Sequence, residues 1–134
     1  MAISVEEALD QIYKLSLPLG GEIAPIENAV YRVLAETVVA SHSLPSFDNS
    51  AMDGYAVRTE DAGKTLPQSC VIFAGDEGEV RLVENQCIRI MTGAKIPLGC
   101  EAIVPIEEVT LSDGKVTLPP SIKASQHIRL KGED

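Results

Sequence analysis

The chain has 134 residues, 45% of them hydrophobic and 23% charged, enough for one ordinary globular domain or two small lobes. Its 20 acidic and 11 basic residues leave a net charge of −9, which repels a phosphate backbone and argues against nucleic-acid binding. No apolar run approaches the roughly 18 residues of a membrane span, and the start carries no basic-then-apolar signal peptide, so no membrane partner is expected and the expected compartment is the cytoplasm.

With aromatic residues at 4% and no Trp, any core must be mostly aliphatic. Ser4 and Glu7 form a capping box, and Val5, Ala8, Leu9, Ile12 and Leu15 recur at helical spacing. A first helix with one apolar face is therefore expected, stopped by Pro18 and Gly20-Gly21. Residues 22–26 read as a short extended piece in which Pro25 permits only an edge or turn role. Ala29, Val30, Val33 and Leu34 predict a helix over 27–36, passing into a strand through Thr37, Val38 and Val39.

Beyond Pro45 the texture changes to short strands punctuated by Gly, Pro and Asp. Residues 55–57, 70–73, 87–91 and 102–106 are strand candidates. Residues 109–111 and 116–118 flank Ser112-Asp113-Gly114-Lys115, and Asp-Gly between such runs predicts a hairpin. A β-rich lobe thus follows a helical lead-in. Cys70, Cys87 and Cys100 are odd in number and lack Cys-x-x-Cys spacing, which fits neither a disulfide framework nor a zinc site. Apolar alternation is still running at Asp134, so a piece of a longer protein, cut at a lobe boundary, is expected.

Several motifs fail on spacing. Gly63-Lys64-Thr65 resembles the end of a phosphate-binding loop, but Arg58 stands where its first Gly belongs, leaving a surface turn. Asp48 begins something like a calcium loop, yet Asp53 replaces its sixth-position Gly and Thr59 its final Glu. A lone Mg²⁺, which needs only one or two carboxylates, stays open. His42 and His127 have no ligand-spaced partners, and no Gly-x-Ser-x-Gly elbow occurs, so no metal-ligand set is assigned.

Two loops remain. Asp48, Asn49, Ser50 and Asp53-Gly54 are turn chemistry, and Met91-Thr92-Gly93 is a strand ending in a glycine turn. Both also present hydroxyls, carboxylates and open backbone of the kind loops use to hold a polar ligand.

Together these residues are more specific. Leu44-Pro45, Phe47-Asp48-Asn49-Ser50-Ala51-Met52-Asp53-Gly54-Tyr55-Ala56-Val57 resembles the signature of the molybdopterin molybdenumtransferase family, the MoeA and gephyrin E-domain group. Arg89-Ile90-Met91-Thr92-Gly93-Ala94, with Ile96-Pro97 and 99–104, resembles its second block; Ile128-Arg129 and Gly132-Glu133-Asp134 resemble a third. Arg32-Val33-Leu34-Ala35 fits the helix before them, with Tyr31 where the family usually has Gly.

The resemblance covers only the N-terminal part of the family's length. It implies an α+β, mainly β fold: coiled and bifurcated β-sheets with an N-terminal helical lead-in. Residues 1–42 would be a lead-in and dimerisation segment and 43–134 a β-rich lid lobe, with the family's catalytic α/β domain absent from this chain. Members insert molybdenum from molybdate into adenylylated molybdopterin, release AMP and involve Mg²⁺. They are homodimers whose lid reaches the partner's cleft, and a molybdopterin adenylyltransferase-type protein is a further conceivable partner.

By match to the motifs, Asp53 and Thr92 would be the catalytic residues, with Asn49, Ser50 and Gly93 shaping or binding substrate beside them. Thr92 is expected to donate to a phosphate or molybdate oxygen, and Arg58, Arg89 or Lys95 to offset an anionic ligand. Two other readings stand: a non-catalytic dimerisation or partner-binding scaffold, and an independent small-ligand-binding β domain.

Overall fold

The computed structural model describes residues 3–17 and 19–134. Pro18, expected to help stop the first helix, lies outside them. The chain divides into two units, Met1–Val39 and Ala40–Asp134.

In the first unit, helix α1 spans Val5–Leu15. Its capping box is formed: the Glu7 amide donates to Ser4 Oγ at 3.1 Å and the Ser4 amide to Glu7 Oε2 at 2.9 Å. The apolar stripe is present, but α1 buries none of its residues. The helix expected over 27–36 is absent. Only a 3-10 turn at Ile26–Asn28 forms, and Tyr31 adopts φ 64°, a left-handed conformation that no α-helix contains. A helix needs its apolar face packed to offset nucleation, and Val30, Val33 and Leu34 stay exposed. The strand expected after it is also missing, since Val38 and Val39 have no strand beside them. Residues 22–25 remain unpaired. A backbone at φ 64° is one that glycine adopts without steric cost and that Tyr31 adopts against it.

The second unit holds eight strands: β1 (Asn49–Ser50), β2 (Gly54–Val57), β3 (Thr65–Ile72), β4 (Cys87–Ile90), β5 (Ala102–Pro105), β6 (Thr110–Ser112), β7 (Lys115–Thr117) and β8 (Ile128–Arg129). Six form one sheet in the order β5-β2-β4-β3-β7-β6, and β1 pairs with β8. Only β3 and β4 run parallel; the other pairs are antiparallel. Strand β3 forks the sheet. Thr65–Pro67 pairs with β7, whereas Gln68–Ile72 pairs with β4 across a register shift. The sequence signals this strand only from Cys70, because Pro67 and the polar Gln68-Ser69 disguise its first half. Asp113 and Gly114, at φ 50° and 71°, make the two-residue hairpin turn predicted for β6 and β7.

Alternation along the strands gives the sheet an apolar layer on each face. Tyr55, Val57, Leu66, Cys87, Ala102, Val104, Val116 and Leu118 make one cluster. Ala56, Ile72, Leu82, Ile88, Ile90, Ala94 and Ile103 make the other. The fold is mainly β with one helix and a curled, mixed, forked sheet, as the family resemblance implied.

Candidate functional site

The three motif segments meet in space. Strand β1 lies between two of them: Asn49 and Ser50 pair with Arg129 and Ile128 of β8, while Asn49 also bridges to Lys95. The Ser50 amide donates to the Ala94 carbonyl at 3.0 Å, and the Gly93 amide to the Ser50 carbonyl at 2.8 Å. Asp48 is clamped from both sides. Its carbonyl accepts from the Ile96 amide at 3.0 Å, and its Oδ1 accepts from the Lys131 amide at 2.8 Å. The Gly132 and Asp134 amides donate to the carbonyls of Pro45 and Leu44 at 3.0 and 3.1 Å. Arg129 Nε donates to Glu133 Oε1 at 2.7 Å and its Nη2 to Asp134, which ties down this final turn.

Within that clamp the chain turns to present Asp53. Ser50 is fully buried, and its hydroxyl donates to the Met52 carbonyl at 2.6 Å. The Ala51 amide donates to the His127 carbonyl at 2.9 Å, and the Ile106 amide to the Asp53 carbonyl at 3.1 Å. Gly54 follows because nothing larger fits: a Cβ there would lie 2.3 Å from the Val104 carbonyl oxygen. Arg89, opposite Tyr55 in the ladder, donates from Nη1 to the Gly54 carbonyl at 2.9 Å. Its guanidinium carbon lies 5.3 Å from the Tyr55 ring centre, a cation–π contact.

Asp53 and Thr92 touch directly. Asp53 Oδ1 accepts both the Thr92 hydroxyl and the Thr92 amide, each at 2.7 Å. These bonds, the hydroxyl's first, hold the Asp53 carboxyl below its ordinary 3.8; the Arg89 charge adds to them and partial desolvation opposes them. Asp53 is partly exposed and Thr92 exposed. Neither lines the surface concavity of about 720 Å³ bordered by Asp48, Thr59, Glu101 and Leu130, nor the smaller one of about 360 Å³ beside Glu79 and Lys95. With Thr92 exposed and Asp53 partly so, the pair sits at the surface.

All five residues singled out in the sequence come together, in two different settings. Asn49 and Ser50 are buried, at 7% and 0% exposure, with Asn49 Nδ2 donating to the Phe47 carbonyl and the Ser50 hydroxyl to the Met52 carbonyl. Gly93 supplies the left-handed turn at φ 80°. These three shape the site, while Asp53 and Thr92 face outward. Of the three cations considered, Arg58 lies 3.8 Å from both Glu60 and Glu84, and Lys95 4.0 Å from Glu79. Arg89 has no carboxylate within 4.0 Å among the described residues, and its charge reaches Asp53.

A second carboxylate–threonine clasp went unnoticed in the sequence. Glu101 Oε2 accepts from the Thr59 amide at 2.9 Å and the Thr59 hydroxyl at 2.6 Å. The partners are 42 residues apart, so no local pattern signals it. Among the described residues no group of three His, Cys, Asp or Glu side chains is arranged to hold a metal ion. Asp53 fits Mg²⁺ as one contributed ligand: Oδ1 is committed to Thr92, whereas Oδ2 has no hydrogen bond among the described residues. Remaining positions would fall to substrate oxygens and water, as is usual for Mg²⁺.

Comparison with known proteins matches residues 3–134 to the family described as MoeA N-terminal region (domain I and II). The molybdopterin molybdenumtransferase of Haemophilus influenzae is 41% identical over 124 residues, covering 90% of this chain and 31% of that protein. Molybdopterin molybdenumtransferase 2 of Mycobacterium tuberculosis is 43% identical over 117 residues, 82% of this chain and 29% of that protein. The crystal structure of a molybdopterin biosynthesis moeA protein from Pyrococcus horikoshii superposes with a TM-score of 0.73 at 32% identity, over 84% of this chain and 32% of that one. The chain thus spans about a third of the length of these relatives.

Proposed function

The chain belongs to the MoeA N-terminal region family, and from that premise we propose that it works as the N-terminal part of a molybdopterin molybdenumtransferase. The full-length enzyme would insert molybdate into adenylylated molybdopterin in the cytoplasm. Residues 43–134 would act as a lid carrying Asp53 and Thr92 into the partner subunit's cleft. One observation carries this reading: the three segments that bear the family resemblance are far apart in sequence, yet they are bonded into one clamp that presents Asp53–Thr92 outward.

An open-faced carboxylate is half of a site, and a cleft supplied by other residues would complete it. A carboxylate facing a phosphorylated substrate directly would be repelled, so Asp53 acts through Oδ2 on a water or a cation. Mg²⁺, when bound, supplies neutralisation of charge on the adenylyl phosphate. Dimerisation falls to the first unit, where Val5, Ile12, Leu15 and other apolar side chains stand uncovered. A molybdopterin adenylyltransferase-type protein is a natural neighbour, since it would supply the adenylylated substrate.

A scaffold role without chemistry is the second reading, favoured by the Glu101–Thr59 clasp, in which the same bonding pattern joins a motif carboxylate to Thr59, a residue outside all three motif segments. Asp53→Asn in the full-length protein separates the two. Molybdenum-cofactor formation should fall by at least about 10²-fold with folding unchanged; retained turnover would establish the scaffold. The isolated 134-residue chain should show no turnover, and clear turnover would refute the lid reading.

A further inference from the structure

Thr92 has two hydrogen-bond donors, its amide and its hydroxyl, and a hydroxyl carries one proton. Both donors go to the same atom, Asp53 Oδ1, at 2.7 Å. The following amides are committed as well: Gly93 donates to the Ser50 carbonyl at 2.8 Å and Ala94 to the Met91 carbonyl at 3.0 Å. Across Thr92, Gly93 and Ala94 no backbone donor is left for a ligand. Arg89 is engaged with the Gly54 carbonyl and stacked on Tyr55. What the pair offers outward is Asp53 Oδ2 and the lone pairs of the Thr92 hydroxyl. No side-chain oxygen or nitrogen among the described residues is both buried and unpartnered, so Oδ2 is open to solvent.

We propose that Thr92 is a positioning residue for Asp53, and that the pair presents acceptor oxygens only, so that the group it receives is a hydrogen-bond donor or a cation rather than an oxyanion oxygen. It departs from the sequence expectation that Thr92 donates to phosphate or molybdate. It rests on the reading of Asp53 as a site residue. In mechanism, Thr92 fixes one carboxylate oxygen and thereby aims the other. A bound water, a cation or an N–H of the pterin is the chemistry that Oδ2 can meet. The substrate's phosphate and molybdate oxygens are left to donors outside this pair.

The test is a double-mutant cycle in the full-length protein, with Thr59→Val as the control that removes the same bonding elsewhere. Thr92→Ser, which keeps both donors, should retain wild-type turnover. Thr92→Val should lower kcat by about 10²-fold, the cost of a misaimed group, with KM for molybdate unchanged. Asp53→Asn/Thr92→Val should be no worse than Asp53→Asn alone. Multiplying losses, or a raised molybdate KM with kcat intact, would overturn the proposal. On the 134-residue chain, millimolar inorganic phosphate or molybdate should leave the Thr92 amide resonance unmoved. A saturable shift that Thr92→Val abolishes would equally overturn it. If Asp53→Asn turned over like wild type, the site reading would fail, and the anion titrations would still decide the donor-or-acceptor question.

Discussion

Gly54→Ala tests the link between sheet and site, because its cost can be worked from one contact. The added Cβ would lie 2.3 Å from the Val104 carbonyl oxygen and 2.9 Å from its carbon, where real Cβ atoms essentially never come within 3.0 Å. Both colliding atoms belong to backbone, so no side chain can swing away. Strands β2 and β5 must part where Gly54 pairs with Pro105 and Tyr55 with Val104. Overpacking typically costs about 1–3 kcal/mol, and a clash with no flexible partner belongs at the upper end, about 3 kcal/mol. For a domain of this size that lowers Tm by roughly 10–20 °C. Circular-dichroism melting of the chain measures it, and amide exchange at Met52 and Asp53 reports whether the turn before Gly54 loosens with it. A variant melting within a degree or two of wild type would refute the close-approach argument.

Other consequences follow from single groups. Ser50→Ala removes a buried hydroxyl from the Met52 carbonyl and should cost about 1–3 kcal/mol, read as a lower urea midpoint; an unchanged midpoint would show that the loop holds without it. The two Thr59 bonds keep the Glu101 carboxyl below its ordinary 4.5, with the Thr59 hydroxyl the larger cause. Because that pKa is depressed by folding, the clasp stabilises above about 4.5 and is lost as pH falls through the folded value. Thr59→Val should therefore raise the Glu101 titration seen by carboxyl NMR; no rise would break the assignment. Burial pushes the Cys87 and Cys100 thiols up to about 11, while Cys70 is exposed. An aromatic disulfide reagent at neutral pH should label Cys70 first, the half-buried Cys100 more slowly and Cys87 only on unfolding, and equal rates for all three would contradict the burial.

The resemblance between the two clasps bears on how function is read from geometry. Asp53–Thr92 and Glu101–Thr59 share their bonding, with hydroxyl and amide converging on one carboxylate oxygen. They differ in the nearby cation. Arg58, whose charge reaches Glu101, already has Glu60 and Glu84 at 3.8 Å, whereas Arg89 near Asp53 has no such neighbour among the described residues. The positive charge near Asp53 is thus shared with fewer acidic neighbours than that of Arg58, which sets that clasp apart.

Signals that act over a few residues were readable in the sequence. The Ser4–Glu7 box located α1, and the Asp113-Gly114 turn placed a hairpin, because each is a local backbone preference. The order and types of the motif residues identified the family and named Asp53, Thr92 and Ser50. Tertiary structure decided the rest. The periodicity of residues 27–36 gave no helix, since an amphipathic face forms one only against a surface to cover it, and Val30 and Leu34 stay exposed. Strand β3 begins at Thr65 because β7 is there to pair with it, despite Pro67. That Ser50 is buried, with its hydroxyl turned to the Met52 carbonyl, is set by partners that lie at 91–94 and 127–129. Asp53 and Thr92, 39 positions apart, bond to each other through contacts that no local pattern encodes. Which of Thr92's protons are free is a question of what stands within 3 Å of them, and only the folded chain answers it.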